Sequence, residues 1–226
     1  MIGNNNRFIF VQAPKTGTSS MQKWFVDNGH VDVEYNNTLR KHISAESWHA
    51  VLHPDIFTEA FKFMFVRNPW DRLVSEYHYT KMLAEDPSPV SKHNLHTLAA
   101  KKLFEDQAIN SFEDFISYIF DNSDSNKTFP VGYLRNAMLH RFACRTGKFS
   151  KIGEQIVDYI GRFENLQSDF DEICEKLDIP GSTLPHINST KRQKDWRSYY
   201  TDDTFLKVAE FYIDDIVRFG YEHPDI

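Results

Sequence analysis

The densest chemistry in the chain lies in seven residues, Pro14-Lys15-Thr16-Gly17-Thr18-Ser19-Ser20. Lys15 supplies a mobile positive charge. The hydroxyls of Thr16, Thr18, Ser19 and Ser20 can donate to phosphate or sulfate oxygens. Gly17 has no side chain to hold a ligand away from the backbone. At the start of a helix, such a run also offers backbone N–H groups and the positive end of the helix dipole to an anion. The nucleotide-triphosphatase loop, GxxxxGK[ST], is a different pattern: here the lysine precedes the glycine, and no companion carboxylate for magnesium stands out. The plainest competing reading is a hydroxyl-rich helix cap beside an incidental lysine.

A second group, Arg67-Asn68-Pro69-Trp70-Asp71-Arg72-Leu73-Val74-Ser75, follows a later apolar run. Arg67 offers a planar fork suited to a phosphate, and Ser75, about two helical turns on, adds a hydroxyl. Taken singly, Arg67 and Arg72 read as surface ion pairs and Ser75 as a small packing residue.

Both groups need elements that hold them at one edge of a sheet. Arg7–Ala13 is an apolar run bounded by Asn residues and Pro14, which predicts a buried strand. Thr18–Asn28 predicts a helix, with Met21, Trp24 and Phe25 at helical spacing and Gly29 as its stop. Phe61–Val66 predicts a second strand, and Pro69 suits the first turn of the helix carrying Leu73, Val74 and Tyr77. Glu85–His93 reads as a surface loop. Ser111 is an N-cap with Asp114 three residues on, ahead of a stripe of Phe112, Phe115, Ile116 and Ile119. Ile156–Phe163 predicts a strand, Leu166–Leu177 a helix and Gly181–Trp196 an irregular basic loop. Thr201–Phe219 predicts one amphipathic helix, capped by Thr201 or Asp202 and ending at Gly220. Strands alternating with helices imply an α/β fold, a P-loop-like and mainly parallel sheet flanked by helices on both faces. In such sheets ligands bind outside the carboxyl ends of the strands, where both groups are expected.

With 226 residues, 41% of them hydrophobic and 15% aromatic, the chain can bury a sizeable core, and a single domain over 1–226 is expected. A net charge of −6 argues against a nucleic-acid partner, although a local basic pocket can still bind an anion. Cys144 and Cys174 are the two cysteines, without a CxxC pair, so neither a disulfide framework nor a zinc site is expected. One Cys144–Cys174 bridge is possible; two reduced core thiols are the simpler reading. The first apolar run is too short for a signal sequence, and no stretch reaches membrane-spanning length. A cytoplasmic protein is expected, unless the chain was trimmed from a membrane-tethered parent.

PKTGTSS after a strand resembles the 5′-phosphosulfate loop of the sulfotransferases that use 3′-phosphoadenosine 5′-phosphosulfate (PAPS). RNPWDRLVS, with Arg67 and Ser75 eight residues apart, resembles their 3′-phosphate motif. The best match is the branch with many carbohydrate sulfotransferases. IGRFENL at Ile160–Leu166 fits as well, as do Asn188-Ser189, Trp196 and DDIVRFGYE at Asp214–Glu222. The resemblance implies that Lys15, Thr16, Gly17, Thr18, Ser19 and Ser20 hold the 5′-phosphosulfate and that Arg67 and Ser75 hold the 3′-phosphate. Lys191 and Arg192 would close over the cofactor, or else are solvated loop charges. Phe163 or Tyr133 would stack on the adenine, with core packing as the alternative. The product left on the protein would be adenosine 3′,5′-bisphosphate (PAP).

Sulfuryl transfer needs a cation for the charge growing on the leaving phosphate and a base for the acceptor hydroxyl's proton. The resemblance gives the first task to Lys15. For the second, His42 in LRKHISAES is preferred, because relatives often carry a histidine between the two cofactor motifs. Ser44 reads as the cap of the next helix, placing His42 on the exposed turn ahead of it. Some relatives use a glutamate, so Glu46 and Glu76 stay open. His42, His49 and His53 share no predicted face, and no metal is expected.

Two other readings compete. A small-molecule kinase would hold ATP with the same strand, loop and helix, but would need a Walker-type glycine pattern and a magnesium carboxylate. A non-catalytic relative would keep the anion loop without turnover. The resemblance favours an oligosaccharide or polysaccharide hydroxyl as acceptor.

Overall fold

A computed structural model describes residues 1–32, 42–85, 95–106, 109–121, 151–152, 154–155, 157–187 and 192–221. In chain order, β1 is Phe8–Val11, α1 Thr18–Asp27, α2 Ala45–Val51, α3 Pro54–Glu59 and β2 Phe61–Val66. Next come α4 at Pro69–Glu85, α5 at Leu95–Asp106 and α6 at Phe112–Asp121. β3 (Lys151–Ile152), β4 (Glu154–Gln155), β5 (Tyr159–Arg162) and α7 (Leu166–Lys176) follow, and α8 (Asp202–Phe211) and α9 (Ile213–Phe219) come last.

The chain forms two compact units. The first joins Met1–Asn68 to Arg145–Ser189, and the second joins Pro69–Cys144 to Thr190–Ile226. The first unit holds a parallel sheet in the order β1-β2-β5, with Phe10 opposite Phe63 and Val66 opposite Arg162. β1 and β2 are near-continuous apolar runs buried on both faces, as strands of a covered parallel sheet are, while β5 at the edge is mostly half-buried. Phe8, Phe10, Phe63 and Phe65 share one core with Met21, Trp24 and Phe25 of α1 and Phe170, Ile173 and Cys174 of α7. Ile9, Val11, Met64 and Val66 alternate with them and are buried as well. Gly161 lets β5 lie flush on this core, since a Cβ there would come within 2.5 Å of the Phe65 ring.

The expected strand from Ile156 is shorter, starting at Tyr159. Just ahead of it, the Asp158 carboxylate accepts from the Lys62 amide at 2.7 Å, in place of a strand carbonyl, and the Asp158 amide donates to the Lys62 carbonyl at 2.7 Å. Cys174 carries a free, buried thiol whose pKa is pushed up to about 11 by burial and then by Asp171. Cys144 and Tyr133 lie outside the described residues, as does most of the loop expected at Glu85–His93.

The second unit is helical where described. α6 opens with reciprocal capping: Ser111 Oγ accepts from the Asp114 amide at 3.0 Å, and Asp114 accepts from the Ser111 amide at 2.9 Å. Its predicted stripe of Phe112, Phe115, Ile116 and Ile119 is buried, and Tyr77 of α4 meets Phe112 and Phe115 edge-on. Trp70 stacks on Phe205 of α8 at 4.6 Å. Thr201 caps α8, and Gly220 ends α9 at φ 60°. The expected single closing helix is instead broken at Tyr212, whose φ of −101° and ψ of 18° leave the helical range. Asp214 and Asp215 suit the first turn of a new helix better than the interior of an old one. The apolar spacing continues through Val208, Tyr212, Ile216 and Phe219, so the same face stays buried. No helix among the described residues is long and apolar enough to cross a membrane.

Candidate functional site

The seven-residue turn sits at the carboxyl end of β1 and leads into α1. Lys15 and Gly17 both adopt left-handed backbone, at φ 64° and 80°. Gly17 is the N-cap of α1 and, being glycine, makes no side-chain cap there. The Ser20 amide donates to the Gly17 carbonyl at 3.1 Å, and the helix end still presents its dipole and leading amides in the direction an anion would occupy. Ser19 is exposed, while Thr18 and Ser20 are largely buried. Thr16 is completely buried and its hydroxyl donates to the Ala13 carbonyl at 3.0 Å, so it shapes the turn. Glycine at position 17 also answers to packing: an added Cβ would meet Leu166 at 2.9 Å and Phe163 at 3.4 Å. On that side the turn is packed against Leu166 and Phe163.

Arg67 lies at the carboxyl end of β2, the strand beside β1, and is 4% exposed. It donates from Nη1 to the Lys15 carbonyl at 3.0 Å. Its guanidinium covers the Phe163 ring at 3.8 Å, a cation–π contact. Asn68 follows, its amide donating to the Glu164 carboxylate at 2.7 Å. Arg67 is therefore buried and not a surface charge; it braces the turn from within. The IGRFENL stretch supplies Phe163, Glu164 and Leu166 to that support. One face of Phe163, a residue expected on the adenine, is already taken by Arg67.

His42 is exposed on a turn at φ 58°, just ahead of Ser44, which caps α2 by accepting from the Ser47 amide at 3.2 Å. The His42 Nδ1 lies 2.8 Å from the carbonyl of Gln12, at the end of β1. A carbonyl can only accept, so Nδ1 carries the proton and Nε2 is the basic nitrogen of the neutral ring. His49 instead packs edge-on against Phe57 at 5.0 Å, and His53 accepts from the Asp55 amide at 3.4 Å. The side chain of Glu46 lies outside the described residues.

Within the second unit, Asp71, Ser75 and His78 fall at i, i+4 and i+7 on one face of α4. Arg192 Nη1 contacts Asp71 Oδ1 at 2.8 Å, with only 18% and 14% of the two side chains exposed. His78 Nε2 lies 2.9 Å from the Tyr199 hydroxyl, which accepts from the Gln193 amide at 3.0 Å. Trp196 stacks on Trp70 at 5.9 Å, and the Tyr200 hydroxyl donates to the Trp70 carbonyl at 2.9 Å. Ser75 is half-buried on this face, whereas Glu76 is 3% exposed. Arg72 is equally buried, its guanidinium 5.0 Å from the Tyr212 ring centre. Lys191 and Asn188-Ser189 lie outside the described residues.

Sequence reasoning gave no role to Asp71, His78 or Tyr199. Asp71 had a signal inside the second motif, but its partner lies 121 residues away. Among the described residues, no group of three or more His, Cys, Asp and Glu is placed to hold a metal ion. A model of the sulfotransferase family matches residues 1–222 of the chain. No curated protein and no solved structure matches it.

Proposed function

The chain belongs to the sulfotransferase family, and on that premise we propose that it transfers a sulfuryl group from PAPS to a carbohydrate hydroxyl by in-line displacement. The observation that carries the donor assignment is the N-terminus of α1, which opens on a glycine N-cap two residues after Lys15. That end suits a doubly charged phosphosulfate, for which the backbone amides and the dipole add to the lysine charge. When bound, PAPS supplies the activated sulfuryl group.

The chain's own residues take the remaining tasks. In the first unit, the amides of the turn and the side chains of Lys15, Thr18, Ser19 and Ser20 are assigned to the 5′-phosphosulfate. Thr16 serves that site through the shape of the turn, and Arg67 is assigned to the 3′-phosphate. In the second unit, Ser75 is assigned to the 3′-phosphate, and Lys191 and Arg192 to closure over the donor. Lys15 would neutralise charge growing on the leaving phosphate. His42 would take the acceptor's proton at Nε2, the nitrogen its contact with Gln12 leaves basic. The family match runs through both units, which supports one sulfotransferase domain over the chain. The carbohydrate acceptor rests on the branch resemblance of the two motifs.

The decisive measurement is thermal unfolding with PAP, AMP and ATP–magnesium. A ligand of the native state adds RT ln(1 + [L]/Kd), about 2.7 kcal/mol at a hundredfold excess over Kd. PAP should stabilise strongly, AMP much less. Equal shifts with PAP and AMP would remove the 3′-phosphate contacts, and a preference for ATP–magnesium would indicate a kinase. Labelled PAPS with a panel of oligosaccharides then tests the acceptor class.

A further inference from the structure

We propose that Asp71 and Tyr199 are positioning residues that hold Arg192 on the α4 face carrying Ser75, so that its guanidinium meets the donor already placed. The inference rests on the assignment of Ser75 and Arg192 to the donor and adds how that arginine is delivered.

The segment from Arg192 to Tyr200 is fixed to α4 at several points. Arg192 pairs with Asp71 in the first turn, at 2.8 Å. The Trp196 ring lies on Trp70, and the Tyr200 hydroxyl holds the Trp70 carbonyl. Two turns further along α4, His78 Nε2 meets the Tyr199 hydroxyl at 2.9 Å. That same hydroxyl accepts from the amide of Gln193, the residue next to Arg192, at 3.0 Å. Accepting from Gln193 leaves the tyrosine's proton for His78 Nε2. Asp71 and His78 bracket Ser75 on one helical face, so the segment runs along that face.

An unrestrained arginine loses much rotamer freedom when it binds an anion, and a pre-placed one loses less. The Asp71 contact engages Nη1, and the guanidinium fork retains other N–H groups for a phosphate. A purely structural ion pair would show its removal in stability. A positioning pair shows it in donor affinity, and only while Arg192 is present.

The test compares Arg192→Ala, Ser75→Ala, Asp71→Asn, Asp71→Glu, Tyr199→Phe and the Asp71→Asn/Arg192→Ala double variant in the full chain. PAP affinity is read by calorimetry, and donor KM and kcat by PAPS turnover. Asp71→Asn should weaken PAP binding and raise donor KM about tenfold, with kcat moving less, within the coupling expected of contacting residues. Asp71→Glu should recover part of the loss. Tyr199→Phe, which removes one hydroxyl, should cause a smaller loss of the same kind if Asp71→Asn does not fold. Asp71→Asn should not matter further once Arg192 is alanine. If Arg192→Ala weakens binding while Asp71→Asn and Tyr199→Phe leave it unchanged or tighter, the positioning role is overturned and the donor assignment stands. If Arg192→Ala and Ser75→Ala both bind PAP normally, the donor assignment itself fails, and the inference with it.

Discussion

The guanidinium of Arg67 donates to the backbone carbonyl of Lys15 at 3.0 Å, tying the end of β2 to the turn after β1. Lys15 holds a left-handed backbone at φ 64°, a conformation costing a residue with a side chain on the order of 1–3 kcal/mol. A buried, charged donor on its carbonyl helps to offset that cost. Arg67 is itself held by the Phe163 ring, so a residue from the start of the α7 region steadies the turn indirectly.

Arg67→Lys should therefore behave as a damaging substitution. An ammonium cannot reproduce the planar fork that reaches Lys15 while lying on Phe163. Loss of a charge-assisted hydrogen bond predicts about 1.5–3 kcal/mol of destabilisation, measured by urea unfolding. PAP affinity should fall with it. A variant with unchanged stability would show that the turn keeps its shape without Arg67.

Gly17→Ala should destabilise by about 1–3 kcal/mol from its positive φ alone. Displacement of Leu166, 2.9 Å from the new Cβ, adds to that. The N-terminus of α1 moves with it, so PAP binding should weaken in parallel. Normal binding with lowered stability would separate packing on Leu166 from the anion site.

Lys15→Ala and His42→Ala should separate chemistry from binding. Lys15→Ala predicts a loss in kcat on the order of 10²–10³, the usual effect of removing one charge-stabilising group. His42→Ala predicts roughly 10²–10⁴, with PAP binding nearly intact, because a base acts only on the proton in flight. The wild type should lose kcat toward acid as the ring takes a proton at Nε2. His49→Ala and His53→Ala should turn over almost normally. Normal turnover in His42→Ala alongside an inactive Glu46→Ala or Glu76→Ala would move the base to a carboxylate.

His78 gives a pH signature of folding. Its pKa is lowered from 6.5 by burial first, and then by Arg192 and Lys81. The unfolded chain thus binds this proton more readily than the folded one. The contribution is fully present above the unfolded value and is lost as pH falls through 6.5 toward the lowered folded value. His78→Gln should flatten the dependence of Tm on pH over that interval. His30, lowered by burial and Arg7, leaves a residual slope. An unchanged slope in His78→Gln would assign the effect to other groups.

What the sequence determined is what depends on neighbours along the chain. Apolar runs at Phe8–Val11 and Phe61–Val66, helical spacing of Met21, Trp24 and Phe25, and the caps at Ser44, Ser111 and Thr201 are local preferences that the fold leaves intact. Those elements suffice to put two anion-suited turns at the carboxyl ends of neighbouring parallel strands. Packing decided the rest, through pairs far apart in sequence. The spacing of RNPWDRLVS does not say that Arg67 turns inward to Lys15, 52 residues back. Nor does PKTGTSS say that Leu166 fills the space beside Gly17. The Arg192–Asp71 pair spans 121 residues. Such contacts follow from burying side chains whose charges and polar groups must then find partners, and a one-dimensional pattern does not carry that choice.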